Sequence, residues 1–487
     1  GQLNGISATL RERGPQVTKQ FGSTVESDRL AAMFDLGAAS LICGLTNVLT
    51  LASGCGDPYF SVRWTGLGIP LDKHSIGHGK GLDEKTAEQL TTLIRRFPNL
   101  ELAGEPGWRD RLTIRGVDRN TTVLDGQLKL DNGIRVVGAK GVAIENLTAT
   151  NYTKNGFFWT GVDGFRGSYL TSYRTGDYGV YAFDSMNGQL EHIYAAGSPD
   201  AGIYVGECYP CNTVLDDVTS EHNGLGYSGT NSGGNLLIVN SIFRFNRAGV
   251  VPNSGSYELC YPERETTIVG NVVYSNNQPD TPAIDVALLA MGNGILTAGG
   301  VKNVIERNLV YDHDKSGIGS VPYLEEDPND SIPTPDKWGM SCAEQKQQTP
   351  VDPGGALLWD SQQNEVRDNV ISDSRVADIL VASAGTDVST LGHCFSGNTF
   401  TLSLPHNLET LAPCGATGSG DWKDGEYDIV TWLTDKHPPS VDWRAATLPA
   451  LSTFPNMPDA ATAPAHPATD VPFKVDLASI KVPNKPA

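Results

Sequence analysis

Basic residues are the first scarcity: 36 Lys and Arg stand against 56 Asp and Glu, a formal charge of -20 over 487 residues. Neutralising phosphates needs clustered Lys and Arg, so this balance argues against an extended nucleic-acid or anionic-membrane surface, while neutral ligands, cationic ligands and divalent metals stay compatible. Methionine (5) and histidine (9) are also thin and form no tract, which speaks against copper storage. No apolar run is clean enough to span a bilayer. The most apolar stretch, Leu30 to Leu51, carries Asp35, Gly37, Gly44 and Asn47 and reads as a buried helix and strand. The chain opens on Gly1-Gln2-Leu3 without a basic, apolar, small-residue leader, so the expectation is a secretory signal absent or already removed.

Glycine, by contrast, is abundant at 54 residues, and it is periodic. Gly133, Gly156, Gly179 and Gly202 stand 23 apart, and Gly226, Gly249, Gly294 and Gly317 continue the series at 24, 23, 45 and 23. The residue after each is apolar: Ile134, Phe157, Val180, Ile203, Tyr227, Val250, Ile295 and Ile318. Two further on come Val136, Trp159, Ala182, Val205 and Gly229, an alternation that predicts a strand with one buried face. The three-and-four spacing of a helical repeat is missing. A second strand in each unit follows a polar residue, at Asn146-Leu147, Tyr169-Leu170, His192-Ile193, Asp217-Val218, Asn271-Val272, Asn308-Leu309 and Asn369-Val370. These read as one column of turns, where Asn suits unusual dihedrals and bonds to neighbouring backbone.

A fixed period of this length signals stacked units that bury one another's edges. Short strands, tight polar turns and about 23 residues per coil together predict a mainly β solenoid, the right-handed parallel β-helix. From Leu112 to Thr401 the chain resembles β-helix repeat proteins of the pectate-lyase-like superfold, including the group named after the periplasmic copper-related protein NosD. The stretch from Leu30 through His74-Ser-Ile-Gly-His78 and the following helix resembles the end of a secreted bacterial family named for an HxxSHH motif. That resemblance implies a link to alkaline phosphatases, although the motif itself stands altered here.

Three regions are expected. Residues 1–104 form a partly helical cap, with helices started by Ser27 or Asp28 and by Asp83 and a His74/His78 pair as a metal candidate that lacks the usual third ligand. Residues 105–415 form the β-helix, its first coil opening at Leu112-Thr-Ile-Arg-Gly and Thr122-Val-Leu-Asp-Gly. Residues 416–487 form a Pro/Ala-rich tail that packs along the barrel or trails as a linker. Two interruptions, Gly249 to Gly294 and Gly317 to Gly355, are expected to be long loops on a binding face, and the interval of 23 from Gly355 to Asp378 reads as the coil resuming. Eight cysteines permit four bridges, with Cys394–Cys414, Cys43–Cys55 and a local Cys208–Cys211 bridge the natural pairs, which favours an oxidising compartment.

If the residues one and three beyond each glycine point inward, those two beyond point outward. Phe158, Tyr181 and Tyr204 then form an exposed aromatic column about 4.8 Å from coil to coil, on which sugar rings stack. Five beyond lie Asp184, Glu207 and Asn231, and just before the glycines come Asp177 and Asp200. Stacked carboxylates repel, so one pKa should rise unless a cation intervenes, and such pairs suit acid/base catalysis or Ca²⁺. His222 and Arg247 are expected near the same edge. Each residue alone is also accounted for by turn chemistry or strand pairing. Three functions follow: a secreted, periplasmic or cell-surface protein that cleaves or modifies a polysaccharide as a lyase or glycosidase; a non-catalytic glycan-binding or scaffold protein; and a metal-handling protein.

Overall fold

The computed structural model describes residues 112–434, 436–463 and 474–486. The chain divides into two units, Gly1–Pro106 and Gly107–Ala487, and all described residues belong to the second. The expected N-terminal helices, the His74/His78 pair and the Cys43–Cys55 bridge lie outside the described residues.

Every coil lays down three faces of parallel strand. Lys140–Tyr152, Asp163–Thr175 and Met186–Ala196 each cover two faces and bend at Asn146, Tyr169 and His192, which hold left-handed conformations (φ 56°, 52° and 53°). These two faces merge into a fifteen-stranded sheet, and a ten-stranded sheet makes the third face. There Ile134, Phe157, Val180 and Ile203 pair in register from coil to coil. Phe157, Trp159, Val180, Ala182, Ile203, Val205 and Tyr227 are fully buried, as the alternation after each glycine predicts. Burial of each large apolar side chain contributes about 1.5–3 kcal/mol.

The periodic glycines have a steric cause. A Cβ on Gly156 would sit 2.6 Å from the carbonyl oxygen of Gly179, and one on Gly179 would sit 2.5 Å from that of Gly202. The same clash recurs at Gly133, Gly226 and Gly294, each against the next glycine in the series. Any side chain would push neighbouring coils apart at this corner.

Two parts of the repeat differ from the sequence expectation. The left-handed bend passes through Asn146, Tyr169, His192 and Asp217, then through Asn240, Gly270, Arg307 and Asp368 (φ 49°, 70°, 51° and 55°). Asn271, Asn308 and Asn369 therefore stand one position later, in register with Leu147, Leu170, Ile193 and Val218. They point inward and are fully buried. Each stacks on the next: the backbone N–H of Ser241 donates to Asn271 Oδ1 (3.0 Å), that of Asn271 to Asn308 (3.0 Å), that of Asn308 to Asn369 (2.9 Å) and that of Asn369 to Asn398 (3.1 Å). The series ends where Asn398 N–H donates to Glu409 Oε1 (2.7 Å). A second ladder, through Asn223, Asn246 and Asn276, ends on His313.

Nor is Gly355 a rung of the repeat. Ile318 pairs with Ile379, so Gly317 and Asp378 are coil neighbours and Gly355 lies in the insertion between them. Within that insertion, Tyr323–Glu325 and Leu357–Trp359 form an antiparallel hairpin. The interval from Gly249 to Gly294 is likewise one enlarged coil, since Val250 pairs with Ile295; its extra length lies in a loop before Arg264–Val269 and in a segment containing the helix Asp285–Leu289.

The tail packs along the barrel. Arg247 donates to the carbonyls of Pro438 (2.6 Å) and Pro439 (2.8 Å), Arg174 to those of Trp443, Arg444 and Ala446, Tyr173 to Pro449, and Asn120 to Phe454. Later the tail's Val475, Leu477 and Ile480 rest on Val214, Val239 and Val269, and Lys485 lies over the ring of Tyr311.

Asn308→Ala removes the partner of the Asn271 N–H and of the Ile268 carbonyl. Leaving buried polar groups unpaired costs about 1–3 kcal/mol each. The variant is expected to lose at least about 2 kcal/mol in urea unfolding; an unchanged midpoint would show the ladder to be dispensable.

Candidate functional site

On the outer side of the third face the rings stack as the register dictates. The Arg135 guanidinium lies 5.1 Å from the centroid of Phe158, Phe158 stacks on Tyr181 at 4.4 Å, and Tyr181 meets Tyr204 edge-on at 5.0 Å. Tyr178, one residue before Gly179, joins them at 4.3 Å from Tyr181 and 4.9 Å from Tyr204. Phe158, Tyr178 and Tyr181 are half-buried. The expected column is thus present, but its exposure is corrected at one end: Tyr204 is only 1% exposed.

What covers Tyr204 is a canopy built from both interruptions of the repeat. Its phenol donates to Glu258 Oε2 (2.6 Å), a carboxyl in the loop that precedes Arg264. The buried Glu325 carboxylate ties that loop to the second insertion, accepting from Ser256 N–H (2.8 Å), Ser256 Oγ (2.8 Å) and Trp359 Nε1 (2.8 Å). Tyr261 donates to Asp330 (2.6 Å), and Cys260–Cys342 crosslinks the two segments. Arg264, buried and 3.4 Å from the Tyr209 ring, donates to the carbonyls of Cys260, Pro262 and Met340. Cys208–Cys211 and Cys394–Cys414 are also bridged.

Carboxyl groups flank the rings. On one side Asp177 pairs with Lys154 Nζ (3.3 Å), and buried Asp200 is pushed up to about 8, first by desolvation and then by the charge of Asp177. On the other side Asp184 and Glu207 occupy successive left-handed corner positions (φ 47° and 50°). Burial, then the neighbouring charge of Asp184, pushes half-buried Glu207 up to about 7, and it accepts from the Leu259 N–H (3.3 Å). Asp184 is exposed and raised by partial desolvation, opposed by Lys346. Desolvation lifts Glu258 well above the usual carboxyl range. Burial likewise holds Tyr181 and Tyr204 above their ordinary range, so both remain phenols at neutrality.

Three other expected site residues have different work. Asn231 is fully buried: its amide donates to the carbonyls of Gly255 (2.6 Å) and Glu258 (2.7 Å) and accepts from Gly255 N–H, so it holds the canopy and offers nothing to a substrate. Arg247, also fully buried, spends its guanidinium on the carbonyls of Pro279, Thr281, Pro438 and Pro439. His222 sits at the corner that precedes the third face, 5.6 Å from Phe245, its pKa lowered by burial. The whole width of the third face separates it from Asp184 and Glu207. Among the described residues no three His, Cys, Asp or Glu side chains converge to hold a metal ion.

Sequence reasoning missed Tyr178, Lys154, Lys346 and Glu258. Tyr178 carries a signal, since it lies between Asp177 and Gly179 in the repeat; Glu258 and Lys346 lie in the irregular insertions, where no period assigns a direction to a side chain.

Raised carboxyl pKa values fix the sign of a pH effect. A folded pKa above the unfolded one contributes stability that is full below the ordinary carboxyl range and is lost as pH rises through the folded value. Asp200 near 8 and Glu207 near 7 therefore predict a melting temperature that falls as pH rises from about 4 to about 8. In Asp200→Asn combined with Glu207→Gln the decline should be shallower, with a remainder from Glu258, which desolvation also raises, and from buried Glu263, raised to about 8. Differential scanning calorimetry across that range checks it, and an equal slope in the variant would refute the assignment.

The family model described as a right-handed beta helix region matches residues 132–322. No curated protein matches the chain. Among solved structures, the mannuronan C-5 epimerase AlgE4 A-module of Azotobacter vinelandii is 14% identical, over 65% of this chain and 87% of that one, with a TM-score of 0.37. The AlgE6 A-module from the same organism is 12% identical, over 64% and 84%, with a TM-score of 0.40. A PL6 alginate lyase in complex with a trisaccharide is 10% identical, over 70% and 90%, with a TM-score of 0.24. The family match and the coil-to-coil strand register agree on one architecture, and the chain is a right-handed parallel β-helix protein.

Proposed function

We propose that the third face binds a polysaccharide along the Phe158/Tyr181 stack and that Glu207 and Asp184 cleave it as a glycosidase-like pair. The observation that carries this reading is a carboxyl near neutrality, Glu207, next to an exposed carboxyl, Asp184, at the edge of half-open aromatic rings. A pKa near the working pH lets one acid donate its proton to a leaving-group oxygen while its neighbour acts as base or nucleophile. Rings that are apolar on their faces and rigid in their stack favour the C–H faces of sugars. Asp177 and Asp200 support the site by closing its opposite side, and the Tyr204–Glu258 pair anchors the canopy over its end. Elimination, the lyase alternative, would use Lys346 or Arg135 as the cation facing a uronate. Three disulfides favour an oxidising compartment, secreted or periplasmic, and among the described residues no helix is long and apolar enough to cross a membrane.

A glycan array followed by reducing-end and unsaturated-product assays tests the proposal. Phe158→Ala with Tyr181→Ala should weaken glycan binding at least about tenfold, since aromatic contacts of this kind are worth on the order of 1 kcal/mol each, while leaving the melting temperature within a few degrees. Glu207→Gln should lower turnover at least about a hundredfold, in line with loss of a general acid, without lowering affinity. Binding with no product from any glycan would establish the scaffold reading instead, and unsaturated products would replace hydrolysis by elimination.

A further inference from the structure

The outer side of the third face is open at one end of the solenoid and roofed over the rest. In Ile134–Val137 the outward Arg135 and Val137 are exposed, and in Phe157–Thr160 and Val180–Phe183 the outward residues are half-buried. From Ala201–Gly206 through Ala377–Val381 every residue of the same sheet is buried, outward side chains included.

The roof has two parts. Outward Val251, Leu296 and Leu380 pack with Ala287, Ile429 and Trp432, which come from the helices Asp285–Leu289 and Ile429–Leu433. Trp432 Nε1 donates to the carbonyl of Leu289 (3.0 Å) and the N–H of Ile284 to that of Pro199 (3.0 Å), so these helices are tied to each other and to the corner before Ala201. On the other side the canopy puts Glu258 on the phenol of Tyr204 and the Leu259 N–H on Glu207. It is fixed in place by Cys260–Cys342, by the hydrogen bonds of Glu325 and by the Asn231 amide on the carbonyls of Gly255 and Glu258.

On the reading that the third face binds and cleaves a glycan, we propose that it takes the end of a chain and not its interior. Phe158 and Tyr181 follow one another along the solenoid axis, so a chain laid against them runs along that axis toward Tyr204. From the coil of Arg135 to that of Tyr204 the open strip measures about 14 Å at the ordinary spacing of paired strands, which holds a few sugar units. Asp184 follows the last open strand and Glu207 the first roofed one, so both carboxyls stand where the strip stops, beside the terminal linkages of a chain that abuts the wall. An interior linkage needs chain on both sides of the carboxyls, and beyond Tyr204 that space is filled by Glu258 and the packed helices. Cleavage at this site is therefore exo-acting.

Binding and cleavage fail separately, so the test reads both. The full chain carrying Glu207→Gln is titrated calorimetrically, and its complexes are sized by sedimentation, with mannuronan, polygalacturonan, xylan and glucomannan. Each polymer is used as short oligosaccharides and as chains long enough to lie along several copies of the protein. The expected result is one protein per chain at every length, with an affinity per chain that does not rise with length. The unsubstituted protein is expected to shorten reducing-end-labelled chains stepwise, releasing products of one small size from the earliest times. Several proteins per long chain, or an early mixture of fragments cut from mid-chain, would overturn the chain-end inference and leave the glycan-binding face standing. One protein per chain without any product would uphold chain-end binding and refute the catalytic pair. No binding to any of the polymers would overturn both.

Discussion

The closeness of consecutive coils at the glycine corner is the constraint on which the rest depends. The carbonyl oxygen of one glycine fills the place that a Cβ on the preceding one would take, so the corner admits no side chain, and the third-face strands can pair directly. That pairing brings Phe158 over Tyr181 and Asp184 over Glu207, neighbours in space although far apart in sequence. Interior packing reinforces the same spacing through Trp159, Phe157 and Tyr227. The alternation of inward and outward side chains then follows from strand geometry alone.

Periodicity made the fold and the direction of most third-face side chains readable, since glycine and the alternation after it directly reflect coil stacking. Where the repeat loses its regularity, the reading slips. Asn271, Asn308 and Asn369 look like the bend residue Asn146, yet they belong one step later, because a buried amide ladder and a left-handed bend both favour asparagine for different reasons. Gly355 matched the interval by coincidence of number. The engagement of Asn231 and Arg247 is set by carbonyls from loops and tail, long-range partners that spacing does not encode.

The canopy shows how irregular insertions acquire a defined position. Both grow from the same side of the solenoid, and Glu325, buried among the donors of Ser256 and Trp359, binds one to the other. Arg264 adds three carbonyl contacts and the Tyr209 ring. The lid so fixed removes Tyr204 from water and desolvates Glu258 and Glu207 together, which links the titration of the site to loops that contribute few of its exposed atoms.

The tail gives the solenoid a property that stacked coils alone lack. A column of repeats pulled from one end opens rung by rung, since each coil is held only by the next. Here one segment descends from Pro438 beside Arg247, past Arg174 and Tyr173, to Phe454 beside Asn120, and a later part lies on Val214, Val239 and Val269. Tension applied at the C-terminus is therefore distributed as shear across many coils at once, and the rod resists peeling in the way a laced seam does.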